Sequence, residues 1–139
     1  MKITICGSIK HADKLVRIYK ELEKLGHTPM MHEKMFAIAN GELDEVPDGI
    51  EHWEVKKKHD YIRWWHDLII SGDAVLIGNF DKNGVKNYVG GNALIEMAFG
   101  HAHNKKVFLL NPVPEEMSYT DEIKAMVDKV INGNLSEIG

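Results

Sequence analysis

Asp73-Ala74-Val75-Leu76-Ile77-Gly78-Asn79 is the clearest buried strand in the chain. A short apolar run of this kind, closed by a Gly-Asn turn signal, is typical of a strand inside a sheet. Similar runs occupy residues 2–7, 27–31 and 106–110, and Pro29 places the second of them at a sheet edge. Segments with helical spacing lie between these runs.

Helices are predicted where apolar residues recur at spacings of three and four. In segments 12–25 and 55–71 these positions are Leu15, Ile18, Leu22 and Leu25, and Ile62, Trp65 and Ile69. A third helix is predicted at 92–103, a short one near 119–126, and a last strand around Val130-Ile131. Strands that alternate with helices predict an α/β fold. We expect a Rossmann-like or flavodoxin-like three-layer sandwich with a parallel sheet of four to five strands.

The length of 139 residues predicts a single domain over residues 1–139. Hydrophobic residues make up 44% and charged residues 27% of the chain, which is the balance of an ordinary globular domain. The formal net charge of −4 argues against a nucleic-acid partner, because phosphate neutralisation needs a basic surplus. No apolar run approaches the roughly 20 residues of a membrane span, so we expect no membrane partner and a cytoplasmic location. Residues 32–54 are irregular and are expected to form a partly helical flap.

The chain offers few signs of a metal or cofactor site. Its single cysteine, Cys6, lies inside the first predicted strand, so a disulfide framework and a Cys-rich zinc site are excluded. Among the eight histidines, His101 and His103 are two apart on a predicted helix and therefore diverge. His59 and His66 share a face seven residues apart, without a tight ligand cluster around them. The sequence therefore predicts no metal site and no cofactor.

Ligands of open parallel sheets bind beyond the carboxyl ends of the strands, near the point where the strand order reverses. Three segments are expected there: Gly7 to Lys10, Asn79 onward, and Gly90 to Glu96. Trp64 and Trp65 precede the third strand, where each either packs in the core or stacks on a nucleobase. The fold therefore predicts one small-molecule site at this edge.

The turn Gly7-Ser8-Ile9-Lys10 has the character of an anion site. A glycine turn that leads into a helix exposes backbone N–H groups at the positive end of the helix dipole. Ser8 adds a hydroxyl and Lys10 a positive charge, so a phosphate or a sugar hydroxyl fits here. The alternative is a tight turn in which Ser8 only caps the helix.

The segment Gly90-Gly91-Asn92-Ala93-Leu94-Ile95-Glu96 is more informative. Its two glycines allow a ligand to approach the backbone where a helix begins. Asn92 and Glu96 lie four apart on one helical face, and Glu96 sits in an apolar stretch where an unpaired carboxylate is costly. The alternative is that Glu96 lies on the solvent face as an ordinary helix former.

With these residues assembled, the chain resembles the nucleoside 2-deoxyribosyltransferase superfamily, including its deoxynucleoside 5′-monophosphate N-glycosidase branch. The resemblance rests on Ile5-Cys6-Gly7-Ser8-Ile9-Lys10, on the passage from Asp67 to Ile77, and on Gly91 to Gly100. The last segment is similar to the Gly-Thr-x-x-Glu-x-Gly helix of that family. The order and spacing of these segments extend over most of the chain.

The resemblance implies a role for each matching residue. Glu96 matches the nucleophile that attacks the anomeric carbon of a nucleoside or nucleotide and forms a glycosyl ester. Asp67 is the candidate for contact with the base or for proton delivery, and Ser8 and Lys10 match positions on the phosphate side. The partner implied is a small-molecule nucleoside or nucleotide, and the assembly implied is a homodimer or a larger homo-oligomer.

Two positions depart from the family pattern and keep other functions open. Gly90 stands where the transferases carry an Asp six residues before the nucleophile, and Asn92 stands where they carry Thr or Ser. One alternative is a phosphoribohydrolase of the Lonely-guy type, although the chain lacks the Pro-Gly-Gly-x-Gly-Thr string of that group. The other is a nucleotide-binding or nucleotide-sensing module that kept the cleft and lost catalysis.

Overall fold

The structure, a computed structural model, describes residues 1–42, 53, 57 and 60–139. Within this part of the chain, five strands form one sheet in the order β2-β1-β3-β4-β5, and every pair is parallel. The strands are Lys2–Gly7 (β1), Thr28–Met30 (β2), Ala74–Gly78 (β3), Lys106–Leu109 (β4) and Lys129–Val130 (β5). The predicted parallel sheet is confirmed, and Pro29 lies in an edge strand as expected.

Helices cover both faces of the sheet. They include Ala12–Lys24 (α1), Lys34–Ala39 (α2), Tyr61–Ser71 (α3), Gly91–Ala102 (α4) and Thr120–Met126 (α5), with 3₁₀ turns at Ile9–His11 and Leu135–Glu137. None of the helices in the described ranges has the length and hydropathy that crossing a membrane requires.

Side chains of β3 alternate between two cores, because successive residues of a strand point to opposite faces. Ala74 and Leu76 pack with the buried residues of α1 and α2. Val75 and Ile77 pack with those of α3, α4 and α5. Because β3 is buried on both faces, its sequence is continuously apolar. The three-layer α/β sandwich of Rossmann-like or flavodoxin-like type is therefore confirmed.

Two residues predicted on buried helix faces are exposed instead. Leu25 is 48% exposed because α1 has already ended at Lys24 and Leu25 is its C-cap. Ile62 is 47% exposed in the first turn of α3, where it lines the mouth of a cavity. The predicted flap at 32–54 contains α2, whose Met35 is buried, but its residues 43–52 and 54 lie outside the described part of the chain.

The strand order reverses between β1 and β3. The chain runs from β1 to β2 on one side and then crosses to β3 on the other, and Gly7 of β1 pairs with Gly78 of β3 at their carboxyl ends. Doubly wound sheets with the order 2-1-3-4-5 bind ligands in the crevice at this reversal. The topology therefore predicts a ligand site at the Gly7–Gly78 end of the sheet.

Candidate functional site

Gly7 and Gly78, the glycine pair at the reversal point, place no side chains over the carboxyl ends of β1 and β3. A Cβ added to Gly78 would lie 2.7 Å from Cδ2 of Leu15, and one added to Gly7 would lie 3.1 Å from Cδ1 of the same leucine. A side chain at Gly78 would therefore require Leu15 of α1 to shift. The pair lets α1 pack closely while the space above the strand ends stays open to a ligand.

One cavity at this edge has a mainly apolar wall and a volume of about 60 Å³. Its apolar and aromatic lining residues are Ile9, Met35, Tyr61, Ile62, Trp65, Ile95 and Phe99. We call it the aromatic cavity. Lys34 adds a positive charge to the wall, with its Nζ 4.4 Å from the centroid of the Tyr61 ring. This composition suits a flat, partly polar ring.

A second cavity beside it has a volume of about 230 Å³. Ser8, His11, Lys82 and Tyr88 line it together with the Gly90–Ala93 segment at the start of α4. We call it the polar cavity. The first N–H groups of an α-helix have no partner within the helix, and they carry its positive dipole end. The polar cavity therefore suits an anion.

The two cavities share Gly7, Asn92 and Glu96. Glu96 is 8% exposed, so the alternative in which it lies on the solvent face is wrong. Its neighbour Met97 is fully buried, and a Cβ on Gly100 would lie 2.9 Å from Cγ2 of Val75, which shows how closely α4 packs on the sheet. Asn92 and Glu96 share a helical face, as predicted, and that face meets both cavities.

Cys6 interacts with the Glu96 carboxylate in the core. Its thiol, in the interior of β1, is hydrogen-bonded to the side chain of Glu96. Burial raises the pKa of the Cys6 thiol well above its usual value, and the negative charge of Glu96 and this hydrogen bond raise it further. The thiol is therefore the neutral donor of the bond. Cys6 is a core residue, as its sequence position indicates.

Lys82 supplies the positive charge of the polar cavity. Its Nζ donates a hydrogen bond of 3.0 Å to Oγ of Ser8 and lies 5.7 Å from the centroid of the Tyr88 ring. Lys82 was not among the predicted site residues, although the sequence around it carries a signal. Asn83-Gly84 has positive φ at both residues and closes a hairpin between Lys82 and Val85, as Asn-Gly pairs commonly do. That hairpin carries Lys82 over the strand ends.

Lys10, the predicted source of this charge, is exposed and is not among the described residues that line either cavity. The reason is the 3₁₀ turn, which buries Ile9 on one side and brings His11 into the polar cavity on another. Only the backbone N–H of Lys10 contacts the site, at 3.3 Å from Oγ of Ser8. Ser8 thus both caps the turn and faces the cavity.

His11 presents a neutral ring to the polar cavity. Burial lowers the pKa of His11, and the positive charges of Lys14 and Lys82 lower it further. Its ring packs against Phe80 with the centroids 5.1 Å apart. Near pH 7 the imidazole is uncharged, and it would gain a proton most readily when an anion enters the cavity.

Asp67, the predicted contact for the base, is placed elsewhere. Its side chain is 76% exposed, and it is not among the described residues that line either cavity. Trp65 faces the aromatic cavity, and a residue two positions further along a helix points about 200° away. The Oδ1 atom of Asp67 instead lies 3.1 Å from Nδ1 of His66, on the outer side of α3. Among the described residues lining the cavities, Glu96 is the only carboxylate.

Asn79, predicted to contact a ligand, instead joins the ends of β3 and β4. It is fully buried, and its amide group donates to the carbonyl oxygens of Asn111 and Pro112 at 3.0 and 3.2 Å. Its Oδ1 accepts the backbone N–H of Asn111 at 2.8 Å. It is not among the described lining residues of either cavity. A side chain with this many protein partners positions loops.

Replacing Asn79 with Ala is therefore expected to reduce stability by about 2–4 kcal/mol, because several buried polar groups lose their partner. Asn40→Ala, an exposed change, should alter the free energy of unfolding by less than about 0.5 kcal/mol. Urea unfolding followed by circular dichroism measures both values. An Asn79→Ala protein as stable as the wild type would contradict this structural role.

Comparison of the chain with protein-family models, with curated proteins and with solved structures found no match in any of the three. In the described residues, no three side chains of the His, Cys, Asp and Glu types come together as a metal site.

Proposed function

We propose that the protein cleaves the N-glycosidic bond of a nucleoside or a nucleoside 5′-monophosphate, with Glu96 as the nucleophile. The observation that carries the proposal is the place of Glu96, a buried carboxylate where an aromatic cavity meets a cationic one. A nucleotide has the same order of parts, since its sugar joins a flat base to an anionic phosphate.

The two cavities favour one orientation of such a ligand. The base lies in the aromatic cavity against Trp65 and Phe99, since aromatic side chains stack on any base. The phosphate lies in the polar cavity, where Lys82, Ser8 and the first turn of α4 provide donors. The sugar then lies over the strand ends, beside Glu96.

The reaction follows the logic of a retaining glycosidase. A carboxylate oxygen of Glu96 attacks the anomeric carbon while the bond from that carbon to the base nitrogen breaks, and the bonding electron pair leaves with the base. The product is a glycosyl ester on Glu96 and a free base that takes up a proton. Water then attacks the anomeric carbon and releases the sugar, or a second base does so in a transferase.

Lys34 is the group in the aromatic cavity that can assist departure of the base. Its ammonium lines the same wall as Tyr61 and would stabilise the negative charge that develops on the leaving nitrogen. This role replaces the one that the resemblance implied for Asp67. The cysteine thiol beneath Glu96 positions the carboxylate and takes no part in proton transfer, because its pKa is too high.

A second candidate function is nucleotide binding without catalysis. The observation that favours it is that Glu96 lacks a second carboxylate among the described lining residues, where Gly90 and Asn92 occupy the start of α4. Such a module would use the same cavities and the same orientation. It would be stabilised by the nucleotide and would leave it intact.

Assembly and location belong to the same proposal. The family resemblance implies a homodimer or larger homo-oligomer, and the cytoplasmic location follows from the sequence expectations above. Ile62 and Ile95, at the mouth of the aromatic cavity, are 47% and 40% exposed, and this apolar rim supports contact with a second copy.

The deciding experiment incubates the protein with ribo- and deoxyribonucleosides and their 5′-monophosphates, and follows free base by chromatography. We expect release from at least one compound, with a free sugar or sugar phosphate as the second product. Thermal stabilisation by a nucleotide without any base release would instead establish the binding module. If no compound of the panel releases free base and none stabilises the protein, both candidate functions are excluded.

A further inference from the structure

A second potential site lies outside both cavities, where α3 passes the end of α4. We propose that His66 and His103 together bind a divalent transition-metal ion that favours imidazole ligands, with Zn²⁺ as the representative ion. Their Nε2 atoms lie 3.1 Å apart although the residues are 37 positions apart in the chain. The proposal does not depend on the glycosidase function.

The distance between the two nitrogen atoms fits a shared ion. Zinc–nitrogen bonds are about 2.0–2.1 Å long, so two nitrogen atoms 3.1 Å apart subtend roughly 100° at the metal. That angle lies between the ligand–metal–ligand angles of octahedral and tetrahedral coordination, and zinc and other divalent first-row transition metals accept both geometries. A shift of a few tenths of an ångström would bring either geometry about.

Asp67 prepares His66 for this role. Its Oδ1 lies 3.1 Å from Nδ1 of His66, so the proton of a neutral His66 is held on Nδ1 and the lone pair stays on Nε2. Metal-binding histidines commonly have a carboxylate behind them in this arrangement. In the ion-free protein, an Nε2–H tautomer of His103 would donate to this lone pair; when the ion binds, the His103 proton moves to Nδ1 through solvent, and both Nε2 lone pairs coordinate the ion.

Exposure and ligand number describe the kind of site. His103 is exposed at the C-cap of α4, and the side chain of His66 is 31% exposed, so an ion can enter from solvent. Asp67 contacts His66 at Nδ1, away from the ion, and the described residues bring no third His, Cys, Asp or Glu ligand to it. Water or a small ligand would fill the remaining coordination positions.

The bound ion would link α3 and α4, the two helices that supply Trp65 and Phe99 to the lining of the aromatic cavity. The ring of His66 packs edge-on against Phe99, with the centroids 4.9 Å apart, and Phe99 lines that cavity. Trp65, the preceding residue of α3, lines it from the other side. An ion between α3 and α4 would therefore restrict their separation next to the cavity.

The test is a titration of the metal-free protein with ZnCl₂ by isothermal calorimetry, with MgCl₂ as the comparison ion. We expect one Zn²⁺ per chain, no Mg²⁺ binding, and a rise in Tm of about 5–10 °C at a free Zn²⁺ concentration near 100 times Kd. His66→Gln and His103→Gln should each abolish this event, because each removes one of two ligands.

Two further variants sharpen the result. His101→Gln removes an exposed histidine of α4 only two residues from His103 and should leave the Zn²⁺ affinity unchanged. Asp67→Asn removes the carboxylate behind His66 and should weaken Zn²⁺ binding by about tenfold. Equal Zn²⁺ affinity in the wild type and in His103→Gln, or no binding by the wild type, would overturn the proposal.

Discussion

The Glu96→Gln protein is expected to release free base more slowly than the wild type by a factor on the order of 10³ or more. An amide keeps the shape of the carboxylate but is too weak a nucleophile to form the glycosyl ester. Its oxygen can still accept the hydrogen bond from Cys6, so the core beneath it should be preserved. Rates are measured by chromatography of the free base under saturating substrate.

The matched control is Glu137→Gln, which removes a carboxylate whose side chain is 47% exposed and paired with Lys129. It should leave the rate of base release within about twofold of the wild type, since surface changes away from a site have small effects. The Glu96→Gln protein should still bind the nucleotide and be stabilised by it. Base release by Glu96→Gln at the wild-type rate would exclude Glu96 as the nucleophile.

Lys82→Met is expected to raise KM for nucleoside 5′-monophosphates by about 10–100-fold, because a hydrogen bond to a charged group contributes about 1.5–3 kcal/mol. Nucleosides, which lack the phosphate, should change by less than about threefold. Steady-state kinetics with a matched nucleoside and nucleotide pair measures the difference. Equal losses for both compounds would show that Lys82 supports the fold and not a phosphate.

Lys10→Met makes the same charge change at the position that the sequence favoured. Lys10 is exposed and does not line the cavity, so the KM values of the Lys10→Met protein for nucleoside and nucleotide should stay within about twofold of the wild type. His11 provides an independent readout by NMR. Its pKa, lowered by burial and by neighbouring charges including Lys82, should rise when a phosphate dianion enters and should also rise in free Lys82→Met. A larger KM effect from Lys10→Met than from Lys82→Met would reverse the assignment.

Much of the site was predictable because its residues follow strands or begin a helix. Gly7 ends β1, Ser8 follows it, and Gly90, Gly91 and Asn92 lie at the start of α4, so the rule for parallel sheets places all of them at one edge. The structure brings all five to the polar cavity. Their place depends on the end of an element, which local sequence signals mark well.

The remaining site residues depended on direction around an element or on distant contacts. Lys10 in the first 3₁₀ turn and Asp67 in α3 are exposed and do not line the cavities. Asn79 follows β3, but its side chain binds the loop after β4. Lys82 reaches Ser8 across 74 positions of the chain, and His66 reaches His103 across 37. No periodicity in one segment carries information about such pairs.

By itself, the sequence determined the class of fold, because the apolar run of β3 and the spacing of Leu15, Ile18 and Leu22 are local patterns typical of a buried strand and of an amphipathic helix. Only the tertiary structure decided that Glu96 is buried between two cavities and that Lys82 is the cation of one of them. The physical reason is that burial and charge pairing arise where separate elements meet, and the geometry of that meeting is set by packing of the whole chain.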